Sequence, residues 1–379
     1  MDWLVEDRPS LPVNPENVHF IKTPTEFYET IIARIRTAKK RIILASLYLG
    51  TSELESKLIE ELKSALETNP ELELCIEELK NALETNPELE LCVLLDYLRG
   101  TRGGSEKSSA TMLQTLADRG RVFFYHTPDL RGMVKNMLPA RMNEIIGLQH
   151  MKFYAFDDSV IISGANLSDS YFVNRQDRYV MIENNPDLVR FFTNVFEAVA
   201  SSSFQLRSDG TLELHSECDF HPFEGDRRAY LTDISSKIKL IMDQLRETCD
   251  RRAYLTDISS KIKLIMDQLR ETCGKLPKTD DTLLYPFLQF GPFGINDEVK
   301  MLSNLFSKNH PELELTVATG YFNPYDAYLD MILKKSNYSM KFLYAAPDAN
   351  GFFNAEGLSG YVPAFLPRLG KSSFAGDFK

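Results

Sequence analysis

Apolar residues follow helical and strand spacing in alternating blocks along the first hundred residues. Residues 25–40 predict an amphipathic helix capped by Thr25, with an apolar face made of Phe27, Ile31, Ile32 and Ile35. The continuous apolar run at 41–49 predicts a buried strand, residues from 53 onward a second helix, and residues 93–96 a second buried strand. This alternation indicates an α/β domain with a mixed sheet flanked by helices.

Residues 148–168 predict a β-hairpin. The first strand alternates, Asp157 and Asp158 form the turn, and a second apolar strand ends at Gly164. His150 and Lys152 are two residues apart, so on a strand their side chains point to the same face.

An imidazole beside an ammonium suits an anionic, phosphorus-containing substrate. Lys152 can hold a phosphoryl oxygen while Nε2 of His150 attacks phosphorus, and Asn166, at the end of the partner strand, can donate to the same oxygens. The alternative is a hairpin that carries a His and a Lys by chance, and the Asp157 and Gly164-Ala165-Asn166 that follow argue against it.

Two further loops offer anion contacts. Arg99 and Arg102 follow a strand, at the end where α/β sheets bind anions, although the loop also reads as a flexible connector. The turn after the strand at 41–49 resembles a phosphate-binding loop without its lysine, so nucleotide binding there is a weaker alternative to a plain strand-to-helix turn. That candidate set comprises Ala45, Gly50, Thr51 and Ser52.

The charge balance is acidic overall but basic in one stretch. The 379 residues carry a net charge of −11, which argues against non-specific binding to nucleic acid. Residues 99–141 hold eight Lys or Arg against three acids, directly before the hairpin where an anionic substrate needs them. A solvated basic surface is the alternative. The basic residues are Arg99, Arg102, Lys107, Arg119, Arg121, Arg131, Lys135 and Arg141.

Other bulk features narrow the class of protein. The five cysteines lack metal-ligand spacing, so we expect reduced thiols, no disulfide, no metal site and no cofactor. No run of 18 apolar residues exists, and the acidic N-terminus is neither a secretory signal nor a transit peptide. The basic, Met-rich segment 133–146 suits either a lipid headgroup layer or core packing.

The chain contains two internal duplications. Residues 59–75 and 76–92 differ at a single position, and only the second copy runs on into the strand at 93–96, so we expect the first copy to be displaced. Residues 226–249 and 250–273 are identical, and each predicts an amphipathic helix, as two helices or one long one. Two copies are too few for a solenoid.

The second half repeats the order of the first. A helix at 297–307, a strand from 313, a helix at 327–335 and a strand at 340–347 match residues 25–104. A further helix at 186–201 and a polar loop at 205–225 separate the halves. We therefore predict an irregular segment 1–20, a first lobe 21–220, a helical linker 221–282 and a partial second lobe 283–379.

The pattern H-x-K-x4-D followed by Gly-Ala-Asn resembles the signature of the phospholipase D superfamily. That family has Gly-Ser-x-Asn, whereas here Asn166 comes one residue early, as in the phosphatidylglycerophosphate synthase branch. The flanks 45–51, 124–128, 130–132 and 168–179 also resemble this branch, and the resemblance covers most of residues 20–365.

The resemblance implies two pseudo-repeated lobes, the second incomplete because no second H-x-K occurs in these residues. It implies transfer of a phosphatidyl group from CDP-diacylglycerol to glycerol 3-phosphate, at a peripheral membrane surface in the mitochondrion. His150 would be the nucleophile, Lys152 and Asn166 would stabilise phosphorane oxygens, and Asp157 would orient the site. The alternatives are an inactive isoform that binds CDP-lipid, a phosphodiesterase active as a homodimer, and a lipid-surface scaffold without chemistry.

Overall fold

The structure, a computed structural model, describes residues 10–67, 89–103, 107–131, 147–270, 282–307, 313–319, 326–334, 339–344 and 346. The chain forms two compact units. The first unit comprises Arg8–Pro286 and Pro292–Gly294, and the second comprises Met1–Asp7, Phe287–Gly291 and Ile295–Lys379. The first unit therefore includes the described residues, 221–270 and 282, of the segment that the sequence predicts as a linker.

A nine-stranded mixed sheet forms the centre of the first unit. Its strands in spatial order are β10 (Leu212–Leu214), β9 (Phe204–Leu206), β5 (Arg121–Tyr125), β4 (Glu90–Asp96), β3 (Arg41–Ala45), β6 (Phe153–Phe156), β7 (Ser159–Ser163), β8 (Tyr179–Ile182) and β2 (Val18–Ile21). In this sheet β3, β4 and β5 are parallel and the other pairings are antiparallel. A separate strand pair joins β1 (Leu11–Val13) to β11 (Thr282–Leu284).

The parallel strands end together, and we call this side of the sheet the carboxyl edge. Ala45, Asp96 and Tyr125 are the last residues of β3, β4 and β5. Because β6 is antiparallel to β3, with Ala45 opposite Phe153, β6 begins at this edge and β7 ends at it. The turn of the β6–β7 hairpin lies at the opposite edge.

Helices cover both faces of the sheet. A continuous apolar core joins one face to α1, α2 and α5, whereas α6 packs over β5, β6 and β7 on the other. The helices of the first unit are α1 (Pro24–Thr37), α2 (Glu53–Glu67), α3 (Tyr97–Gly100), α4 (Ser109–Leu113), α5 (Asp169–Val173), α6 (Pro186–Ala200) and α7 (Arg227–Arg270). Short 3₁₀ turns occupy Pro15–Asn17, Gln114–Leu116 and Gly291–Phe293.

The predicted apolar face of α1 is confirmed, but its cap is not. Thr23 caps the helix by accepting a hydrogen bond from the Glu26 N–H at 3.1 Å, and Pro24 occupies the first turn. The cap at Thr25 was therefore predicted two residues late. The polar loop predicted at 205–225 was also wrong in part, because β9 and β10 form a hairpin whose turn contains Gly210 at φ +86°.

One continuous helix, α7, contains residues 227–249 of the first copy of the 24-residue duplication and residues 250–270 of the second. The apolar face of the first copy is buried and α7 packs against α6, so this copy belongs to the core of the first unit. The hydroxyl of Tyr230 donates to the Ser202 carbonyl at 2.8 Å and fixes the start of the helix. The buried residues of this face are Tyr230, Ile234, Ile238, Ile241 and Leu245.

The second unit has the predicted helix-strand-helix-strand order. Its elements are α8 (Asp297–Ser307), β14 (Glu314–Thr319), α9 (Asp326–Lys334) and β15 (Ser339–Tyr344), after a short hairpin of β12 (Gln289–Phe290) and β13 (Ile295–Asn296). β14 and β15 pair in parallel, as β3 and β4 do. The first copy of the strand segment in the 17-residue duplication and the segment 133–146 lie outside the described residues.

No helix in the described part of the chain combines the length and the apolarity that crossing a bilayer requires.

The core depends on Phe27, which is fully buried and stacks on Tyr179 with ring centroids 4.5 Å apart. We expect Phe27→Ala to lower the free energy of unfolding by about 3–5 kcal/mol, since it leaves a cavity among large side chains. Phe20→Ala, at a position that is 67% exposed, is the matched control and should change it by less than about 0.5 kcal/mol. Urea denaturation followed by circular dichroism measures both; equal losses would contradict the described packing.

Candidate active site

The predicted catalytic segment runs across the carboxyl edge. Residues 147–152 have no regular structure and lead into β6. The N–H of Gln149 donates to Oδ2 of Asp96 at 3.0 Å, while Oδ1 of the same carboxylate accepts from the Arg99 N–H at 3.0 Å and caps α3. Asp96, which is 1% exposed, therefore holds both the His-x-Lys segment and the arginine-bearing turn.

His150 and Lys152 precede β6 rather than lying on it. His150 is exposed, whereas Lys152 is buried, with its Nζ donating to the His150 carbonyl at 3.1 Å. The alternation expected for a strand therefore does not position the pair. Their geometry comes from an irregular segment held at the end of β4, and the ammonium is anchored to the backbone of the histidine.

The two side chains have perturbed proton affinities. Partial desolvation, together with the nearby Lys152 ammonium, lowers the pKa of His150 to about 4. Burial lowers the pKa of Lys152 to about 8, against the opposing attraction of the Asp177 carboxylate. At pH 7 the imidazole is therefore neutral, with a lone pair available for attack, while most of the lysine remains charged.

Asn166 is held at the same edge by the loop that follows β7. Ser46 Oγ accepts from the Leu167 N–H at 3.3 Å, and the Leu167 carbonyl accepts from the Gly50 N–H at 2.8 Å. The Tyr154 hydroxyl donates to the Ala165 carbonyl at 2.6 Å. The loop is thus fixed on both sides of Asn166, through the end of β3 and through β6.

Buried polar atoms at this edge lack partners within the described part of the chain. They are Oδ1 of Asn166 and both side-chain polar atoms of Gln149, and these residues are 3% and 5% exposed. A buried polar group without a hydrogen bond costs about 1–3 kcal/mol, so such groups are uncommon unless they have a functional reason. Gln149 carried no sequence signal beyond its place next to His150.

The candidate phosphate-binding loop has a structural explanation. Glu55, which is 1% exposed, accepts the N–H groups of Ser52 and Asp169 at 3.0 and 2.6 Å. A Cβ at Gly50 would lie 1.9 Å from Oε1 of Glu55, so this close approach requires glycine. The N–H groups of Gly50 and Ser52 are hydrogen-bonded within the protein, while Ala45 is fully buried and Thr51 half-buried, which favours the strand-to-helix turn.

Asp157 lies at the far end of β6, away from His150. Its carboxylate accepts hydrogen bonds from the backbone N–H groups of Lys39, Lys40 and Arg41, at distances from 2.7 to 3.2 Å. Six residues separate it from His150, four of them in the strand, which places the two about 20 Å apart along the chain. We therefore correct its expected role: Asp157 holds the start of β3 and does not contact the site.

The basic stretch 99–141 does not gather at one place. Arg121, at the start of β5, is on the opposite edge of the sheet and pairs with Glu90 and Glu197. Arg99 and Arg102 follow β4 at the carboxyl edge, both half-buried. The guanidinium of Arg99 lies 4.4 Å from the ring centroid of Tyr48. Among the described basic residues of the stretch, these two arginines are therefore the ones placed directly after β4, beside the His-x-Lys segment.

The contacts of Asp177 and His126 define roles that the sequence pattern did not indicate. Asp177 precedes β8, and its carboxylate accepts a hydrogen bond from the Gly164 N–H at 3.1 Å and attracts the Lys152 ammonium. His126 is 1% exposed, its Nδ1 is 2.8 Å from the Thr127 carbonyl, and its ring packs on Tyr97. These contacts favour a structural role for His126 over contact with a substrate.

Comparisons with known proteins agree on the class. A family model described as "Cardiolipin synthase, PLD-like domain" matches residues 31–200. The structure superposes on phosphatidylserine synthase of Haemophilus influenzae with a TM-score of 0.61 at 18% identity, covering 97% of this chain and 71% of that chain. The fold and the matched domain thus define a phospholipase D-like protein, as predicted.

Curated relatives define the family within this class. CDP-diacylglycerol–glycerol-3-phosphate 3-phosphatidyltransferase of Schizosaccharomyces pombe is 33% identical over 94% of this chain and 72% of its own length. The mitochondrial proteins of that name from Gallus gallus and Homo sapiens are 38% and 36% identical, over 96% and 98% of this chain. The chain belongs to this family. It spans 63% and 65% of the lengths of those two relatives.

The contacts of Asp157 predict a loss of stability without a loss of chemistry. We expect Asp157→Ala to lower the free energy of unfolding by about 2–4 kcal/mol, since the charged acceptor for three N–H groups is removed. At a temperature where the variant stays folded, the reaction that we propose for His150 should proceed at the rate of the unaltered protein. Asp158→Ala, at the neighbouring turn position, is the control for stability.

Thermal unfolding and a single-turnover assay measure the two effects separately. A fully folded Asp157→Ala protein with an inactive His150 would contradict the assignment of Asp157 to the frame of the sheet.

Proposed function

We propose that the protein transfers the phosphatidyl group of CDP-diacylglycerol to glycerol 3-phosphate, giving phosphatidylglycerophosphate and CMP. The observation that carries the proposal is a His150 imidazole, neutral at pH 7, beside the buried ammonium of Lys152, at the edge of the sheet that also carries Asn166. The relatives named for this reaction support the choice of substrates. We propose phosphatidylglycerol and cardiolipin biosynthesis as its setting.

In the first displacement, Nε2 of His150 attacks the phosphorus that carries diacylglycerol. A phosphorus–nitrogen bond forms, the bond to the bridging oxygen breaks, and CMP leaves with the electron pair. Because CMP leaves as a phosphate whose second pKa is about 6, it needs no proton from the protein to depart. Lys152 and the amide of Asn166 stabilise the oxygens of the crowded phosphorus.

In the second displacement, a hydroxyl of glycerol 3-phosphate attacks the phosphohistidine. The new phosphorus–oxygen bond replaces the phosphorus–nitrogen bond, whose electron pair returns to the imidazole, and a base takes the hydroxyl proton. Covalent catalysis suits this exchange because the reactivity of the diester is retained in the intermediate. Arg99 and Arg102, placed after β4, are the proposed contacts for substrate phosphate.

The proposed setting is a membrane surface in the mitochondrion. CDP-diacylglycerol is an amphiphile, and curated relatives from Gallus gallus and Homo sapiens are named as mitochondrial. We propose peripheral association with the bilayer and no role in binding nucleic acid.

The nucleophile assignment predicts a covalent adduct. On mixing with CDP-diacylglycerol, the protein should release one CMP and retain a phosphatidyl group that is labile to acid, as phosphoramidates are. His150→Ala should abolish both, because no other nucleophile replaces the imidazole. Intact-protein mass spectrometry together with CMP release measures the two products.

The matched control is His19→Ala, because His19 lies on β2 and pairs with Glu183. This variant should form the adduct normally. CMP release that continues in His150→Ala would overturn the mechanism, and hydrolysis of simple diesters without transfer would favour a phosphodiesterase.

The shifted pKa values predict the pH dependence of adduct formation. Since His150 stays neutral above about pH 4 and Lys152 loses its proton near pH 8, the rate should be flat from about pH 5 to pH 7 and fall above pH 8. Lys152→Met should slow the reaction by about 100-fold and remove the decrease in rate above pH 8, which we call the alkaline limb. Lys152→Arg should move the alkaline limb to higher pH, because a guanidinium stays charged. A limb that persists unchanged in Lys152→Met would exclude Lys152 as its source.

A further inference from the structure

Three cross-strand neighbours form an apolar row at the edge of the first unit's sheet. Phe20 on β2 lies opposite Val180 on β8, which in turn lies opposite Ile162 on β7. Phe20 is 67% exposed and Ile162 is 37% exposed, whereas Val180 is half-buried. Because opposed residues of paired strands point to the same face, the three side chains form one continuous row about 10 Å long.

The row lies next to the carboxyl edge. Ile21, Ser163 and Tyr179 occupy the adjoining register, at the ends of β2 and β7 and the start of β8. Asn166 follows β7 by three residues, and Asp177, which attracts Lys152, precedes β8. Along each strand, a single residue therefore separates the apolar row from the loops that carry Asn166 and Asp177.

Two cations border the row on the side of the site. Lys22 directly follows β2 and Arg178 directly precedes β8, and both are exposed. Neither forms an ion pair with another residue that the structure describes. The neighbouring carboxylates of Glu26 and Asp177 accept backbone N–H groups, including those of Lys22 and Arg178 themselves. The Gln176 side chain donates to the Lys22 carbonyl at 2.9 Å and ties the two loops together.

We propose that Phe20, Ile162 and Val180, with Lys22 and Arg178, form the surface by which the protein lies on an anionic lipid bilayer. This inference rests on the proposed function in that it supplies the route by which a bilayer-held lipid reaches His150. Exposed aromatic and aliphatic side chains enter the headgroup layer, and cations beside them contact lipid phosphates. Since the whole chain carries a net charge of −11, a local cationic border is needed to orient it on an anionic surface.

Cosedimentation with vesicles tests the surface without requiring turnover. The protein should bind vesicles of equal parts phosphatidylcholine and phosphatidylglycerol more tightly than vesicles of phosphatidylcholine alone. Phe20→Ser with Ile162→Ser should lower the partition coefficient by about tenfold or more on the mixed vesicles. Lys22→Ala and Arg178→Ala should each lower it by about fivefold, on the anionic vesicles only.

Leu240→Ser is the matched control, since Leu240 is 59% exposed on α7 and distant in sequence from the row. It should leave binding unchanged, and circular dichroism should show every variant folded. Vesicle binding that is absent in the unaltered protein, or equally reduced by Leu240→Ser, would overturn the proposal. A dimer in size-exclusion chromatography that the Phe20 and Ile162 substitutions dissociate would instead assign the row to a second copy, which also overturns it.

Adduct formation from short-chain, monomeric CDP-diacylglycerol separates this inference from the proposed function. The surface variants should form the His150 adduct at the normal rate, because the soluble substrate needs no bilayer. Vesicle binding that depends on the row in a protein that forms no adduct would reject the transferase function and leave the surface standing.

Discussion

The antiparallel pairing of β6 with β3 is the constraint on which the site depends. Asp157 holds one end of this pair through the N–H groups of Lys39, Lys40 and Arg41, where β3 begins. Lys152 lies at the other end, opposite the carboxyl end of β3. A slip of one residue would turn every side chain of β6 to the other face of the sheet. The Asp157 carboxylate, at one end of β6, therefore fixes the register of the strand that the candidate pair His150 and Lys152 precedes at the other end.

Partial desolvation of His150 and burial of Lys152 set the protonation states of the two side chains. A solvated histidine and lysine would have ordinary pKa values, and part of the imidazole would be protonated near neutrality. Desolvation lowers the pKa of both groups, yet it leaves a proton on the lysine and none on the histidine at pH 7. The buried carboxylates of Asp96 and Glu55 accept hydrogen bonds from backbone N–H groups and thereby position the loops around His150 and Lys152.

Proximity along the chain was a poor guide to the charges around the site. Arg99 and Arg121 belong to the same basic stretch, but β4 and β5 are parallel, so the chain between them returns from the carboxyl edge, where β4 ends, to the opposite edge, where β5 begins. Arg121 therefore pairs with Glu90 and Glu197 at the edge away from His150. The exposed cations Lys22 and Arg178, far apart in sequence, come together because β2 and β8 pair.

The sequence by itself determined the α/β class, the hairpin at Phe153–Ser163, the repeated order in the second unit and the candidate pair His150 and Lys152, because spacing and residue type carry these features. The tertiary structure decided the roles of Asp157, Glu55 and Asp177, since a carboxylate acts on whatever N–H or ammonium group the fold brings to it. It also decided that His150 and Lys152 precede the strand. Strand pairing and burial join residues that are distant in the chain, and no local pattern records those contacts.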